Sequence, residues 1–398
     1  MSTEAAPRYP FAWTPPFEMP GALRDLRAEP VVRVQLPSGD HALLVTRYKD
    51  VRSLFNDPRL SRNIARPDVA RISKDNELFA DPEIDPDPPA HTRVRGLVTR
   101  AFTARRIEGL RPVAWRISDE LLDAVEAGEQ PAELNEAYSF PLTIRVICFL
   151  LGIPAEDREQ FRIWVDGFLS VSKLPPDKVK LYRGELWKYL GELIATKRET
   201  PGDDLVSALV RVRDEDNNKL SEHELHFWVQ SLLIAGYLTT ASQIGTSTAV
   251  LLRRPDLMDQ IRADYAIVPS AVEELLRTQL MGSSIGTMRY ALEDIPLEGY
   301  TIPKGSSVML SEESANADDT VFSDPFSLDL RRTDNHHMTF GSGLHYCVGA
   351  ALARMELQVA MEALLRRFPK LRLAVEPEEM RRDIGGFLEG FVTVPIAW

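Results

Sequence analysis

Cys347 stands in the run Phe340-Gly341-Ser342-Gly343-Leu344-His345-Tyr346-Cys347-Val348-Gly349, directly ahead of Ala350-Ala351-Leu352-Ala353-Arg354-Met355-Glu356-Leu357, which reads as the opening of an amphipathic helix. A thiol at the mouth of a helix meets the positive end of the helix dipole and free backbone N–H groups. Both favour the thiolate, the form that ligates iron. Gly341, Gly343 and Gly349 let the main chain approach a large planar ligand where side chains would collide. Two other readings fit parts of the run. One is a buried cysteine beside a glycine-rich turn, the usual state of a lone cysteine. The other is a phosphate loop, but neither the G-x-G-x-x-G nor the G-x-x-x-x-G-K spacing is met.

Other residues with chemical potential lie far away in sequence. Glu274 and Arg277, in Ala271-Val272-Glu273-Glu274-Leu275-Leu276-Arg277, are one helical turn apart and share a face. Alone they would read as a solvated ion pair. His91 and Arg95, in Asp87-Pro88-Pro89-Ala90-His91-Thr92-Arg93-Val94-Arg95, are four apart and also share a face. Ala235-Gly236-Tyr237-Leu238-Thr239-Thr240 places small residues and hydroxyls inside a long helical stretch, with Thr239 one turn after Ala235. A threonine so placed often bonds its own helix carbonyl.

The set, in this order, closely resembles the cytochrome P-450 family in its soluble bacterial form, over roughly residues 20 to 398. The resemblance implies a mainly α fold with a smaller β region, and haem b held between the long central helix and the cysteine-loop helix. It makes Cys347 the iron ligand, with Phe340, Gly341 and Gly349 against the cofactor. His91, Arg95, His345 and Arg289, the last in Met288-Arg289-Tyr290-Ala291, become partners of the haem propionates. Carboxylates entering an interior need such charge-assisted hydrogen bonds. Arg332, in Asp329-Leu330-Arg331-Arg332, would join Glu274 and Arg277 in a buried structural network. Ala235, Gly236, Thr239 and Thr240 would be the catalytic segment, with Ala235 and Gly236 leaving space for dioxygen. Ser231, Ile234, Leu238, Ser284, Met288 and Phe387 would line the substrate pocket.

The family usually has Asp or Glu where this chain has Leu238, and leucine cannot relay a proton. Water with Thr239, polar groups of the substrate, or a chemistry other than routine oxygen insertion would then have to serve; drift at a tolerant position is the alternative. With the small polar stretch Met281-Gly282-Ser283-Ser284-Ile285-Gly286-Thr287-Met288 and Phe387, the departure resembles tailoring oxidases that couple tryptophan-containing diketopiperazines. Hydroxylation or epoxidation of a polyketide, terpene or peptide is the alternative, with a peroxygenase or a non-catalytic haem protein behind it. Dioxygen and a ferredoxin or flavodoxin with its reductase are the implied partners, and Arg354 is a basic residue on which an acidic donor would dock.

Positioning these residues requires a core shared by distant segments, so motif order predicts one domain over 1–398, with 1–19 irregular. The longest helix should run from Ser221 to Arg254, with Ser221 and Glu224 as a capping box and Pro255 as the stop. Residues 31 to 46 read as a hairpin around Pro37-Ser38-Gly39-Asp40. Residues 61 to 86 read as a long loop and Leu174-Pro175-Pro176-Asp177 as a helix break, and the resemblance implies that the first lies over the substrate and the second interrupts a mobile lid. The formal net charge of −12 argues against nucleic acid. Cys148 lies in an apolar run and reads as core, so disulfides are not expected and a reducing cytoplasm fits. The opening residues resemble neither a signal peptide nor a membrane anchor.

Overall fold

The computed structural model describes residues 6–13, 16–71, 86–168, 174–215, 220–278, 287–383, 388 and 390–398. They group into two compact units. The first comprises Met1–Asp87, Ser270–Cys347 and Arg382–Glu389, the second Pro88–Pro269, Val348–Arg381 and Gly390–Trp398.

The first unit is built on a five-stranded sheet in the order Val32–Gln35, His41–Val45, Ser307–Leu310, Met288–Ala291, Leu60–Ser61. The expected hairpin is its first pair, antiparallel with Val32 opposite Leu44. The next pairing is parallel, Leu43 opposite Val308, and the remaining two are antiparallel. Successive residues of a strand face opposite sides, and the sheet is apolar on both. Val45, Val308, Leu310 and Ala291 join a cluster with Phe55 and Phe322, whereas Leu44, Met309, Met288 and Tyr290 join another with Tyr9 and Val34. Arg289, between Met288 and Tyr290, therefore belongs to the side that carries Phe55.

The second unit is helical. Its longest element is the helix Glu222–Leu252. At about 1.5 Å per residue it extends for about 46 Å. Ser221 caps it as expected: its Oγ accepts from the Glu224 N–H at 3.1 Å, while Glu224 Oε2 accepts from the Ser221 N–H at 2.7 Å. Phe140–Leu151 packs along this helix, and Ala350–Arg367 packs on it and on Ala104–Glu126. Arg158–Phe168 pairs with Pro176–Glu199, and of the residues joining them 169–173 lie outside the described set. Cys148 is fully buried in Phe140–Leu151 and burial pushes its thiol up to about 12, as suits a core residue. A small sheet of Ala132–Glu133, Pro395–Ala397 and Arg372–Leu373 completes the unit. Most of the loop expected over 61 to 86 falls on residues 72–85, outside the described set.

Candidate functional site

In the first unit the cysteine loop is turned by two glycines, Gly341 and Gly343, whose backbones both lie in the left-handed region that favours glycine. The Cys347 N–H donates to the Phe340 carbonyl at 2.9 Å and the Gly341 N–H to the Met338 carbonyl at 2.8 Å. A Cβ on Gly343 would come within 2.4 Å of Asn56 Oδ1 and 3.1 Å of the Phe55 carbonyl, so only glycine lets the loop lie on that segment. Gly349 does not need to be glycine for its backbone: at φ −83° it is the cap of Ala350–Arg367, the helix expected after the cysteine. Cys347 is exposed, and Phe340 and His345 are half-buried. A single exposed thiol on a rigid loop fits an iron that brings its own equatorial ligands. Among the described residues no group of three or more His, Cys, Asp or Glu is arranged as a metal site, so this donor set stands by itself.

Beneath the loop, the expected Glu274 network forms. Arg277 Nε and Nη2 donate to Glu274 at 2.9 and 2.7 Å, and Arg332 Nε reaches both carboxylate oxygens at 3.2 and 3.1 Å. The Asp329 N–H and Asn335 Nδ2 donate to it at 3.1 Å each. Burial pushes the Glu274 carboxyl upward, but the Arg277 bonds and charge, the Asp329 N–H and Arg332 outweigh it and hold it below its ordinary range. Arg277 Nη1 donates to the Asn316 carbonyl at 2.9 Å. Asn316 in turn accepts from the Met338 N–H at 2.7 Å and donates to Thr339 Oγ1 at 3.0 Å, which fixes the stem of the cysteine loop. The pair is therefore buried and structural, as the resemblance implied, and not the solvated ion pair that its spacing alone suggested.

Arg289 is only 3 % exposed. Its Nη1 donates to the Met288 carbonyl at 2.9 Å and its guanidinium lies 5.6 Å from the Phe55 ring centre. A buried guanidinium suits an anionic group such as a propionate. Met288, expected in the pocket wall, is 2 % exposed and packs in the sheet core with Met309 and Tyr9, because its strand register turns it to the opposite side from Arg289. Ser284 and Phe387 lie outside the described residues.

In the second unit His91, 4 % exposed, and the half-buried Arg95 lie on one helix, Ala90–Ala101. On Glu222–Leu252 Ala235 is exposed and Ser231, Ile234, Leu238 and Thr239 are half-buried, at spacings that make one stripe. Leu232, Leu233, Tyr237 and Thr240 are buried on the other side. The stripe is small and apolar except for two hydroxyls, and Leu238 sits on it as the sequence required. Thr239 Oγ1 donates to the Ala235 carbonyl at 2.6 Å, the ordinary bond of a helical threonine. Two expectations are corrected. A Cβ on Gly236 would meet Ile147 Cδ1 at 2.9 Å, so its missing side chain serves the packing of Phe140–Leu151 and not space for dioxygen. Thr240, 5 % exposed, belongs to the buried side and not to the open stripe.

Two acids that the sequence reading did not single out are also buried. Glu356, 0 % exposed on Ala350–Arg367, has no hydrogen-bond partner for either carboxyl oxygen among the described residues, and burial pushes it well above its ordinary range. Its signal was its place in the apolar phase of the helix, beside Leu352, Met355, Val359 and Ala360. Glu312, 8 % exposed, follows directly on the apolar strand Ser307–Leu310, and that abrupt change from Leu310 to Ser311-Glu312-Glu313 was its signal.

The family model described as Cytochrome P450 matches residues 177–395. Mycinamicin IV hydroxylase/epoxidase of Micromonospora griseorubida is 42% identical over 400 residues, covering 100% of both chains. Nocardicin C N-oxygenase of Nocardia uniformis subsp. tsuyamanensis is 42% identical over 393 residues, covering 98% of each. Among solved structures, the LnmA hydroxylase from the leinamycin biosynthetic pathway of Streptomyces atroolivaceus superposes with a TM-score of 0.91 at 40% identity, covering 99% of this chain and 100% of the other.

Proposed function

The chain belongs to the cytochrome P450 family, a haem b oxidoreductase acting on a secondary metabolite, and from that premise we propose that it inserts one oxygen atom into its substrate by hydroxylation or epoxidation. The observation that carries the reading is the cysteine loop: an exposed Cys347 on a turn held by the Phe340 carbonyl and two left-handed glycines. The named relatives support oxygen insertion, since those two are a hydroxylase/epoxidase and an N-oxygenase.

When bound, haem supplies dioxygen activation and one-oxygen transfer. In this reading Cys347 would hold the iron as its thiolate. Phe340 and Gly341 would lie against the macrocycle, and Arg289, His345, His91 and Arg95 would be its propionate partners. Ser231, Ile234, Ala235 and Leu238 present a small, largely apolar surface that orients the substrate and keeps bulk water out. Thr239 already donates its proton to the Ala235 carbonyl. Its oxygen lone pairs can therefore accept a proton-bearing water without turning the side chain. Leu238 contributes shape alone, so protons must reach Thr239 through water or a polar group of the substrate. Electrons come singly from a ferredoxin or flavodoxin system that docks near Arg354.

A second reading is oxidative coupling of two tryptophan-containing diketopiperazines without oxygen insertion; it draws on the departure at Leu238 from the family's usual acid, although dioxygen activation requires protons in either reading. Incubation of the holoenzyme with macrolide and cyclodipeptide candidates under labelled dioxygen tests both. We expect one labelled oxygen atom per product; an unlabelled coupled dimer as main product would replace the first reading with the second. Cys347→Ala should lose the red-shifted Soret band of the ferrous carbon monoxide complex, and a variant that kept it would remove Cys347 from the iron.

A further inference from the structure

Asn335, His337 and Thr339 alternate along the run that leads into the cysteine loop, and all three bond to the helix Val268–Thr278. Asn335 Nδ2 donates to Glu274 Oε2 at 3.1 Å, His337 Nε2 lies 3.1 Å from Glu273 Oε2, and Thr339 Oγ1 donates to the Leu276 carbonyl at 2.9 Å. Met338, between two of them, is buried in the cluster with Phe55 and Phe322. Alternation of this kind belongs to an extended chain. The His337 ring is engaged at both nitrogens. The Thr339 N–H donates to Nδ1 at 3.3 Å, so Nδ1 carries no proton. The ring proton then sits on Nε2, which donates it to Glu273. With the His337 side chain 3 % exposed, little water can take over either bond.

The Met338 carbonyl and the Thr339 N–H belong to one planar peptide unit. His337 holds one end of that plane, and the Gly341 N–H holds the other by donating to the Met338 carbonyl at 2.8 Å. Just beyond, the Phe340 carbonyl accepts from the Cys347 N–H at 2.9 Å. Rotation of the Met338–Thr339 plane would therefore open the glycine turn and shift the carbonyl that holds the cysteine. We propose that His337 is a positioning residue for Cys347: its Nε2–H anchors the ring to Glu273, and its Nδ1 fixes the peptide plane on which the cysteine turn closes. The inference rests on the reading of Cys347 as the iron ligand. No bond is made or broken, and the proton stays on Nε2.

The test uses holoenzyme of the wild type and of His337→Asn, His337→Gln, His337→Leu and Cys347→Ala. Two quantities are read: the share of the ferrous carbon monoxide complex that shows the red-shifted Soret band, and the iron midpoint potential. An asparagine oxygen can accept from the N–H two residues on, so His337→Asn should match the wild type in both. A glutamine amide reaches Glu273 as Nε2 does, but when bonded there it offers Thr339 no acceptor. His337→Gln and His337→Leu should therefore raise the ratio of unshifted to shifted band about tenfold. They should also raise the potential, because a thiolate held less firmly gives less charge to iron. A general loss of packing would affect asparagine and glutamine alike, so rescue by asparagine alone marks the bond that holds the plane. Wild-type spectra and potential in His337→Leu would overturn the inference. So would a His337→Asn that behaves like His337→Leu, or a His337→Gln that matches the wild type. Cys347→Ala separates the premise: loss of the shifted band there, with His337→Leu unchanged, refutes only the role of His337. A band retained in Cys347→Ala refutes the iron-ligand reading itself. Should the His337 variants not fold, nitrogen NMR of histidine-labelled wild type in the diamagnetic carbon monoxide complex decides. A His337 ring with its proton on Nε2 supports the proposal, and one protonated at Nδ1 overturns it.

Discussion

Glu274 and Glu356 are both 0 % exposed, yet they are electrostatic opposites. Glu274 accepts from Arg277, Arg332, Asn335 and the Asp329 N–H and is held below its ordinary range. Glu356 has no such donors among the described residues and is pushed well above it. Burial by itself therefore does not set the charge of an interior acid. The donors aimed at it do, and the two glutamates differ by what the chain brings to them from elsewhere.

The largest break in this comparison should come from Glu274→Ala. It leaves the Arg277 and Arg332 guanidiniums, 0 % and 8 % exposed, without their shared carboxylate, and we expect a loss of about 3–5 kcal/mol in urea unfolding. A loss below about 1 kcal/mol would mean that water replaces the carboxylate there and that the network is not buried in solution. Glu356→Leu should go the other way. It exchanges an unsatisfied neutral acid for an apolar side chain, so the unfolding free energy should rise by about 1–2 kcal/mol. A fall of similar size would reveal a partner for Glu356 and erase the contrast.

The finest distinction lies in pH. The folded Glu274 carboxyl is depressed, so its contribution is present above the ordinary value of 4.5 and is lost as pH falls below that value through the folded pKa. The folded Glu356 carboxyl is raised, so its contribution is fully present below 4.5 and declines as pH rises above that value toward the folded pKa. Unfolding midpoints of Glu356→Gln and wild type should coincide near the acid end and separate, with the variant ahead, as pH climbs. Curves that run parallel across the range would show that Glu356 does not change protonation on folding.

The same pair marks how far the sequence could be read. Glu274 was legible because its first partner, Arg277, is one helical turn away and its second lies in a recognisable run ending at Arg332. The cysteine loop, the Ser221–Glu224 capping box and the 31–46 hairpin were legible for the same reason, since their geometry is local. Glu356 and Glu312 were not, because their state depends on which distant segments surround them. Gly236 and Met288 were misjudged for a related reason. A small residue can make room on either side of its helix, and only Ile147 shows which side needs it. Strand alternation can turn a side chain toward either layer, and only the pairing of Met288 with Met309 decides it.

The long helix Glu222–Leu252 carries one more consequence, a matter of time rather than place. Nearly every residue from Thr240 to Leu252 is buried, whereas the stretch before it is open along one stripe. Backbone amides of the later half can exchange with deuterium only through large-scale opening, while those of the earlier half escape through local fraying. One continuous helix should thus display two lifetimes, with the step near Thr239. Its slow end acts as a fixed mount from which the faster end can bend and recover, without any break in its hydrogen-bond ladder.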